Sequence, residues 1–185
     1  MCEEKIAGCV YTRLSRELPK LIQRYPGGIE RIIKTLRHEK YTSHTWQYLK
    51  RYIADQIVYC LVNPETSCYR DCIKEIYIAD LTGGQHSYYS GHGGKDLDII
   101  IVLDKNCKNR IKEKSIEKRL EENVYFILQE VFDEDFYKLL GIPNIIEVHL
   151  VTGSDCYPYY QMVANRSRSL IKVWENNSDR EARRG

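Results

Sequence analysis

The sequence predicts an α+β fold, an α/β sandwich in which helices pack against a small mixed β-sheet. Apolar residues recur at helical spacing through the first third of the chain. The middle instead has three apolar, largely β-branched runs, at 74–81, 96–103 and 145–151. A helical pattern at 115–131 separates the second run from the third. Elements in this order are typical of a sheet covered by a helical layer.

Three helices are predicted for residues 1–63, which we expect to form a helical N-terminal region packed on the core. The first helix ends at the Pro-Gly-Gly turn at 26–28. Ser43 is a plausible N-cap for the third helix, which ends before Pro64.

We expect residues 64–175 to form the core of the domain. The apolar residues Tyr159, Met162, Leu170 and Val173 predict a last helix within it. Residues 176–185 lack any apolar pattern, which predicts a disordered tail.

Length and charge exclude several classes of protein. At 185 residues the chain has room for one domain with a helical appendage. Its 28 basic and 26 acidic side chains give a net charge of +2, which neither requires nor excludes nucleic acid. The apolar run Ile99–Leu103 is too short to cross a bilayer, and the charged first residues lack the apolar segment of a signal peptide. We therefore expect a cytoplasmic protein without a membrane partner.

Seven cysteines leave three interpretations open. Cys68 and Cys72, with His86 and His92, approximate a zinc-ligand pattern, but their spacings are not the common ones. We favour the interpretation that the cysteines are small buried hydrophobic residues. Intracellular disulfides, as found in hyperthermophiles, are the remaining alternative.

Three carboxylates in or beside apolar strands indicate a metal site. Asp96 and Asp98 begin one apolar run, and Glu147 lies inside another. Burying a charge costs several kcal/mol unless the charge is paired or binds metal. Alternation along the strand places Asp96 and Asp98 on one face, and an adjacent third strand would add Glu147. Two Mg²⁺ or Mn²⁺ ions held by these carboxylates would support displacement at phosphorus.

A glycine pair supplies a candidate phosphate site. Gly83 and Gly84 directly follow the first predicted strand. Backbone N–H groups without a Cβ nearby, at the start of a helix, are suited to a triphosphate. Each motif alone is weak, but the ordered combination of glycine pair, acidic strand and later acidic strand is much more specific.

This combination resembles the DNA polymerase β-like nucleotidyltransferase superfamily, including its CCA-adding branch. The resemblance implies a small mixed sheet of nucleotidyltransferase topology. It also implies that Asp96 and Asp98 bind two metal ions, and that Glu147 binds the catalytic ion and helps to deprotonate the acceptor hydroxyl. Gly83 and Gly84 would then contact the β- and γ-phosphates of an NTP.

The resemblance covers residues 74–151 and has two departures. Gly84 stands where many members have a serine, and residues 85–91 lack the arginine that many members have there. Lys95, next to the acidic strand, is the predicted substitute for nucleotide binding, and a lysine of the 105–114 loop is the alternative.

His149 lies two residues after Glu147 and therefore shares its face of the strand. We interpret it as a hydrogen-bonded histidine beside the site. Binding to metal or substrate is the alternative role.

The resulting functional hypothesis is a metal-dependent nucleotidyltransferase. It would transfer an NMP group from an NTP to a hydroxyl on RNA, protein or a small molecule. The first alternative is a catalytically weak or inactive module of the same fold, such as a toxin–antitoxin component. The second is a structural helical protein with a fortuitous motif. Oligomeric state and acceptor are not specified by any motif.

Overall fold

The structure is a computed structural model that describes residues 2–40, 43–79, 96–110, 113–141, 145–152 and 170–176. The helices within these ranges are α1 (Cys2–Arg24), α2 (Gly28–Glu39), α3 (His44–Val62), α4 (Glu113–Phe132) and α5 (Phe136–Leu140). The strands are β1 (Ile73–Ala79), β2 (Leu97–Leu103), β3 (Ile146–Val151) and β4 (Leu170–Glu175). Short 3-10 helices occupy Arg70–Cys72 and Lys105–Arg110.

The four described strands form one mixed sheet in the order β3-β2-β1-β4. Strand β1 pairs antiparallel with both β2 and β4, whereas β2 pairs parallel with β3. The predicted α+β architecture with a small mixed sheet is therefore confirmed, and the three predicted strands lie within one or two residues of their expected positions.

One face of the sheet forms the hydrophobic core with the helices. Alternate residues of β2 are buried there: Leu97, Ile99, Ile101 and Leu103. Helix α3 contacts β1 and β2, and α4 contacts β3. Because side chains alternate along a strand, Asp98 points to the opposite face, away from this core.

The N-terminal helices pack into the same core. Helix α1 begins at Cys2 and contacts α3 and α4. Ser43 is the N-cap of α3, as predicted, and its Oγ accepts a hydrogen bond from the Trp46 N–H at 3.1 Å. Gly27 and Gly28 have φ of +85° and +60°, a left-handed conformation that glycine adopts without strain.

The prediction of a helix through Leu170 and Val173 is wrong, because these residues belong to β4. Spacings of three and four between apolar residues suggested a helix. The run from Leu170 to Trp174 is nevertheless rich in β-branched and aromatic residues, which pack well beside another strand. Lys172 Nζ contacts Glu75 Oε1 at 2.6 Å across the β1–β4 pair. Pairing with β1 therefore decides the conformation of this segment.

Six cysteines form three disulfides, which corrects their interpretation as unlinked buried residues. Their Cα–Cα distances of 5.7–5.9 Å are normal for disulfides. The pairs are Cys2–Cys68, Cys9–Cys60 and Cys72–Cys107. Cys68 and Cys72 are thus oxidised in separate pairs and are not thiolate ligands for zinc. The partners are 35 to 66 residues apart, so local periodicity does not reveal them. Cys156 lies outside the described residues.

Among the described residues, none of the helices is both long and apolar enough to cross a bilayer.

Replacing Cys9 and Cys60 together by alanine is expected to lower the free energy of unfolding by about 2–4 kcal/mol, because the disulfide restricts the unfolded chain. Urea unfolding of the variant and the wild type measures the difference. Peptide mapping without reductant checks that the other two disulfides remain. Equal stability of the two proteins would contradict a closed Cys9–Cys60 bond in the wild type.

Candidate metal centre

The parallel pairing of β2 with β3 brings the candidate site together. Leu97 N–H donates to the Ile145 carbonyl at 2.8 Å, and this bond begins the pairing. In the resulting register Asp98 lies opposite Glu147, and Ile100 lies opposite His149. Paired residues of neighbouring strands project to the same face of a sheet. Asp98, Glu147 and His149 therefore share the face that points away from the helical core.

The three side chains converge on one point. His149 Nε2 lies 3.2 Å from Asp98 Oδ1 and 3.5 Å from Glu147 Oε2. One ligand atom from each residue lies within 4.8 Å of the other two. The side chains of Asp98, His149 and Glu147 are 12%, 18% and 27% exposed. The cluster is thus partly shielded from water and still open on one side.

The two carboxylates hold His149 in its charged form. Burial by itself lowers the pKa of the imidazole, but hydrogen bonds from His149 to Asp98 and Glu147, with their charges, outweigh burial and raise this pKa to about 9. Near neutral pH the cluster is therefore an imidazolium between two carboxylates when no metal is bound.

Glu121 on α4 is a further carboxyl that interacts electrostatically with Glu147. Burial, followed by the nearby charges of Glu147 and Glu122, raises the pKa of the Glu121 carboxyl. A divalent cation bound beside Glu147 would reduce the repulsion between these carboxylates.

The donor atoms fit one metal ion. Two ligands bound to the same ion at about 2.1 Å lie about 3–4 Å apart, depending on the angle at the metal. The two contacts of His149 already fall in this range, and the carboxylate oxygens of Asp98 and Glu147 lie within 4.8 Å of each other. Metal binding requires a neutral imidazole, so the cation would displace the His149 proton.

The structure brings together two of the three predicted carboxylates. Asp98 and Glu147 meet as expected, and His149 completes the group in place of Asp96. Asp96 comes one residue before β2, and only 5% of it is exposed. Its role as a second metal ligand stays a prediction.

The predicted nucleotide-binding residues Gly83, Gly84 and Lys95 lie outside the described residues.

Lys50 of α3 is a feature of the site that sequence reasoning missed. Only 1% of this lysine is exposed, and its Nζ donates a hydrogen bond to the Asp96 carbonyl at 3.0 Å. Lysine is almost never fully buried unless its charge is paired. The signal was present in the sequence, because Lys50 falls within the apolar stripe of α3, between Leu49 and Ile53. The bond anchors the residue before β2, which lies two residues before Asp98.

His149 was predicted to be hydrogen-bonded beside the site, and its bond to Asp98 confirms this. Its position between both carboxylates was not anticipated. The signal was the two-residue spacing from Glu147, which places both side chains on one face of β3.

Lys50→Met is expected to lower the free energy of unfolding by about 1–3 kcal/mol, because the buried Asp96 carbonyl loses a donor that water does not replace. Arg51→Met is the matched control, since Arg51 is the exposed neighbour and its loss should change stability by less than about 0.5 kcal/mol. Urea unfolding measures both variants. A Lys50→Met protein as stable as the control would show that the bond does not hold β2.

In the metal-free protein, His149 should make stability depend on pH. Its pKa is raised from 6.5 to about 9 in the folded state, so the stabilisation is complete below about pH 6.5 and is lost as pH rises through about 9. The expected loss is on the order of 3 kcal/mol. Urea unfolding with a chelator across this pH range measures it, and His149→Gln should remove this component. A wild type whose pH profile matches that of His149→Gln would contradict the raised pKa.

Comparisons with protein-family models, with curated proteins and with solved structures found no match to this chain. The functional assignment therefore depends on the geometry and chemistry of the Asp98–Glu147–His149 centre.

Proposed function

We propose that this protein is a metal-dependent nucleotidyltransferase that transfers an NMP group from an NTP to a hydroxyl acceptor on RNA, protein or a small molecule. The observation that supports this most is the convergence of Asp98 and Glu147 from adjacent parallel strands. The motif resemblance requires this meeting, whereas a fortuitous motif in a helical protein does not.

The connection between β1 and β2 also supports the proposal. These strands are antiparallel neighbours, and Ile78 near the end of β1 pairs with Ile99 near the start of β2. Both ends of the chain segment that contains the glycine pair are therefore anchored at the end of the sheet where Asp98 lies. A phosphate-binding function of Gly83, Gly84 and Lys95 is consistent with these anchor points.

Each residue has a defined role in the proposed reaction. A bound Mg²⁺ or Mn²⁺ ion would neutralise phosphate charge and lower the pKa of the acceptor hydroxyl. Asp98 and Glu147 would hold the ion, with Asp96 joining them if a second ion binds. Glu147 is the most exposed member of the centre, which suits it to receive the proton of the acceptor hydroxyl. Gly83, Gly84 and Lys95 would hold the triphosphate. The acceptor oxygen would bond to the α-phosphorus while the bond between the α- and β-phosphates breaks, and pyrophosphate would leave.

The position of His149 favours one alternative, an inactive module of the same fold. Its imidazolium contacts both carboxylates and so supplies the positive charge that a metal ion would otherwise provide. If His149 kept its proton in the presence of divalent ions, the site would be structural. Metal binding therefore discriminates between the two functions.

Cytoplasmic localisation stays a prediction. Three disulfides are typical of oxidising compartments, and intracellular proteins of hyperthermophiles are the exception that remains compatible with this prediction.

The function is tested by incubating the protein with α-phosphate-labelled NTPs, Mn²⁺ and total cellular RNA or protein. Asp98→Asn should reduce label transfer at least about 100-fold, because the amide loses the charge that holds the cation. Asp104→Asn is the matched control, since Asp104 lies just beyond the other end of β2 and pairs with Lys74. It should retain wild-type transfer.

Thermal unfolding gives a second readout of the same proposal. An NTP with Mn²⁺ at about 100 times its Kd should stabilise the wild type by about 2.7 kcal/mol. Equal transfer by wild type and Asp98→Asn would contradict the catalytic role of Asp98. No transfer and no stabilisation in the wild type would favour the inactive module.

A further inference from the structure

We propose that His149 makes this centre select a first-row transition-metal ion, with Mn²⁺ as the probe, over Mg²⁺. The proposal rests on the metal site of the proposed function and assigns to it a metal preference that three carboxylates alone would not give. It does not depend on which group is transferred.

The geometry of the centre places the His149 nitrogen next to both carboxylates. His149 Nε2, Asp98 Oδ1 and Glu147 Oε2 point at one another, so an ion between the two carboxylates also meets the imidazole nitrogen. His149 lies on β3 opposite Ile100 of β2, and Ile100 is fully buried. The nitrogen is therefore presented by the sheet backbone and not by a flexible loop.

Mg²⁺ and first-row transition-metal ions prefer different ligand atoms. Mg²⁺ demands near-ideal octahedral geometry with oxygen ligands and loses its water reluctantly. Imidazole nitrogen is a ligand of first-row transition metals such as Zn²⁺ and Fe²⁺. Mn²⁺ has the lowest affinity in the order of these ions, so it is the most demanding probe of the preference. Two carboxylates and one imidazole thus retain affinity for Mn²⁺ and provide one oxygen fewer for Mg²⁺.

A simpler role for His149 would be to orient the two carboxylates by hydrogen bonds without touching the ion. That role predicts a similar loss of affinity for both ions when the imidazole is removed. Direct ligation predicts a larger loss of affinity for Mn²⁺ than for Mg²⁺. It also predicts that the Mn²⁺-to-Mg²⁺ affinity ratio falls when a carboxylate oxygen replaces the imidazole nitrogen. The two roles are therefore separated by a ratio of affinities.

The experiment titrates the full metal-free chain with Mn²⁺ and with Mg²⁺ by calorimetry. The wild type should bind Mn²⁺ more tightly. His149→Asp supplies a third carboxylate and should lower the Mn²⁺-to-Mg²⁺ affinity ratio at least about tenfold. His149→Asn, which adds no charge, should also lower the ratio. His38→Asp on the exposed surface of α2 is the control and should leave the ratio unchanged.

Pulsed electron paramagnetic resonance of bound Mn²⁺ gives a direct readout, because a coordinated imidazole adds a nitrogen modulation that should disappear in both His149 variants. Circular dichroism verifies that the variants are folded.

Three results would overturn the proposal: an unchanged affinity ratio, a wild type that prefers Mg²⁺, or bound Mn²⁺ without the nitrogen modulation. No binding of either ion would overturn it together with the metal dependence of the function. Bound Mn²⁺ with nitrogen modulation but without label transfer would overturn the nucleotidyltransferase function alone.

Discussion

The in-register parallel pairing of β2 and β3 is the constraint on which the site depends. Asp98 meets Glu147 only because Leu97 and Ile146 are partners at the start of the ladder. A slip by one residue would turn the buried face of β3 toward solvent and Glu147 toward the core. The apolar alternation of Ile146, Val148 and Leu150 therefore specifies both the fold and the meeting of the acidic residues.

The helical layer fixes the sheet that presents these residues. Lys50 links α3 to the residue before β2, so the buried ammonium defines where the acidic strand begins. Two disulfides join α1 to α3 and to the turn before β1. The third joins Cys72, the residue before β1, to Cys107 in the 3-10 helix after β2. These long-range links restrict movement of the strand ends relative to the helices, and a metal centre of small side chains requires such precision.

Local patterns predicted most of the fold, and long-range partnerships escaped prediction. The apolar runs identified β1, β2 and β3, and the serine before α3 identified its cap, because both signals operate within a few residues. Strand β4 was mistaken for a helix, since its conformation depends on pairing with a strand about a hundred residues earlier. Disulfides were one of the alternatives for the cysteines, but their pairing was not predicted, for the same reason. At the site, Asp98 and Glu147 were predicted from buried charge, whereas the contact of His149 with both depends on register.

The molecule thus presents two positive partners for the same pair of carboxylates, its own imidazolium and an external cation. An anomalous-diffraction experiment on crystals grown with Mn²⁺ tests most directly which of them occupies the centre. We expect a strong peak at metal-bonding distance from a carboxylate oxygen of Asp98, from one of Glu147 and from His149 Nε2. Density showing His149 still bonded to both carboxylates, with no ion between them at saturating Mn²⁺, would contradict it.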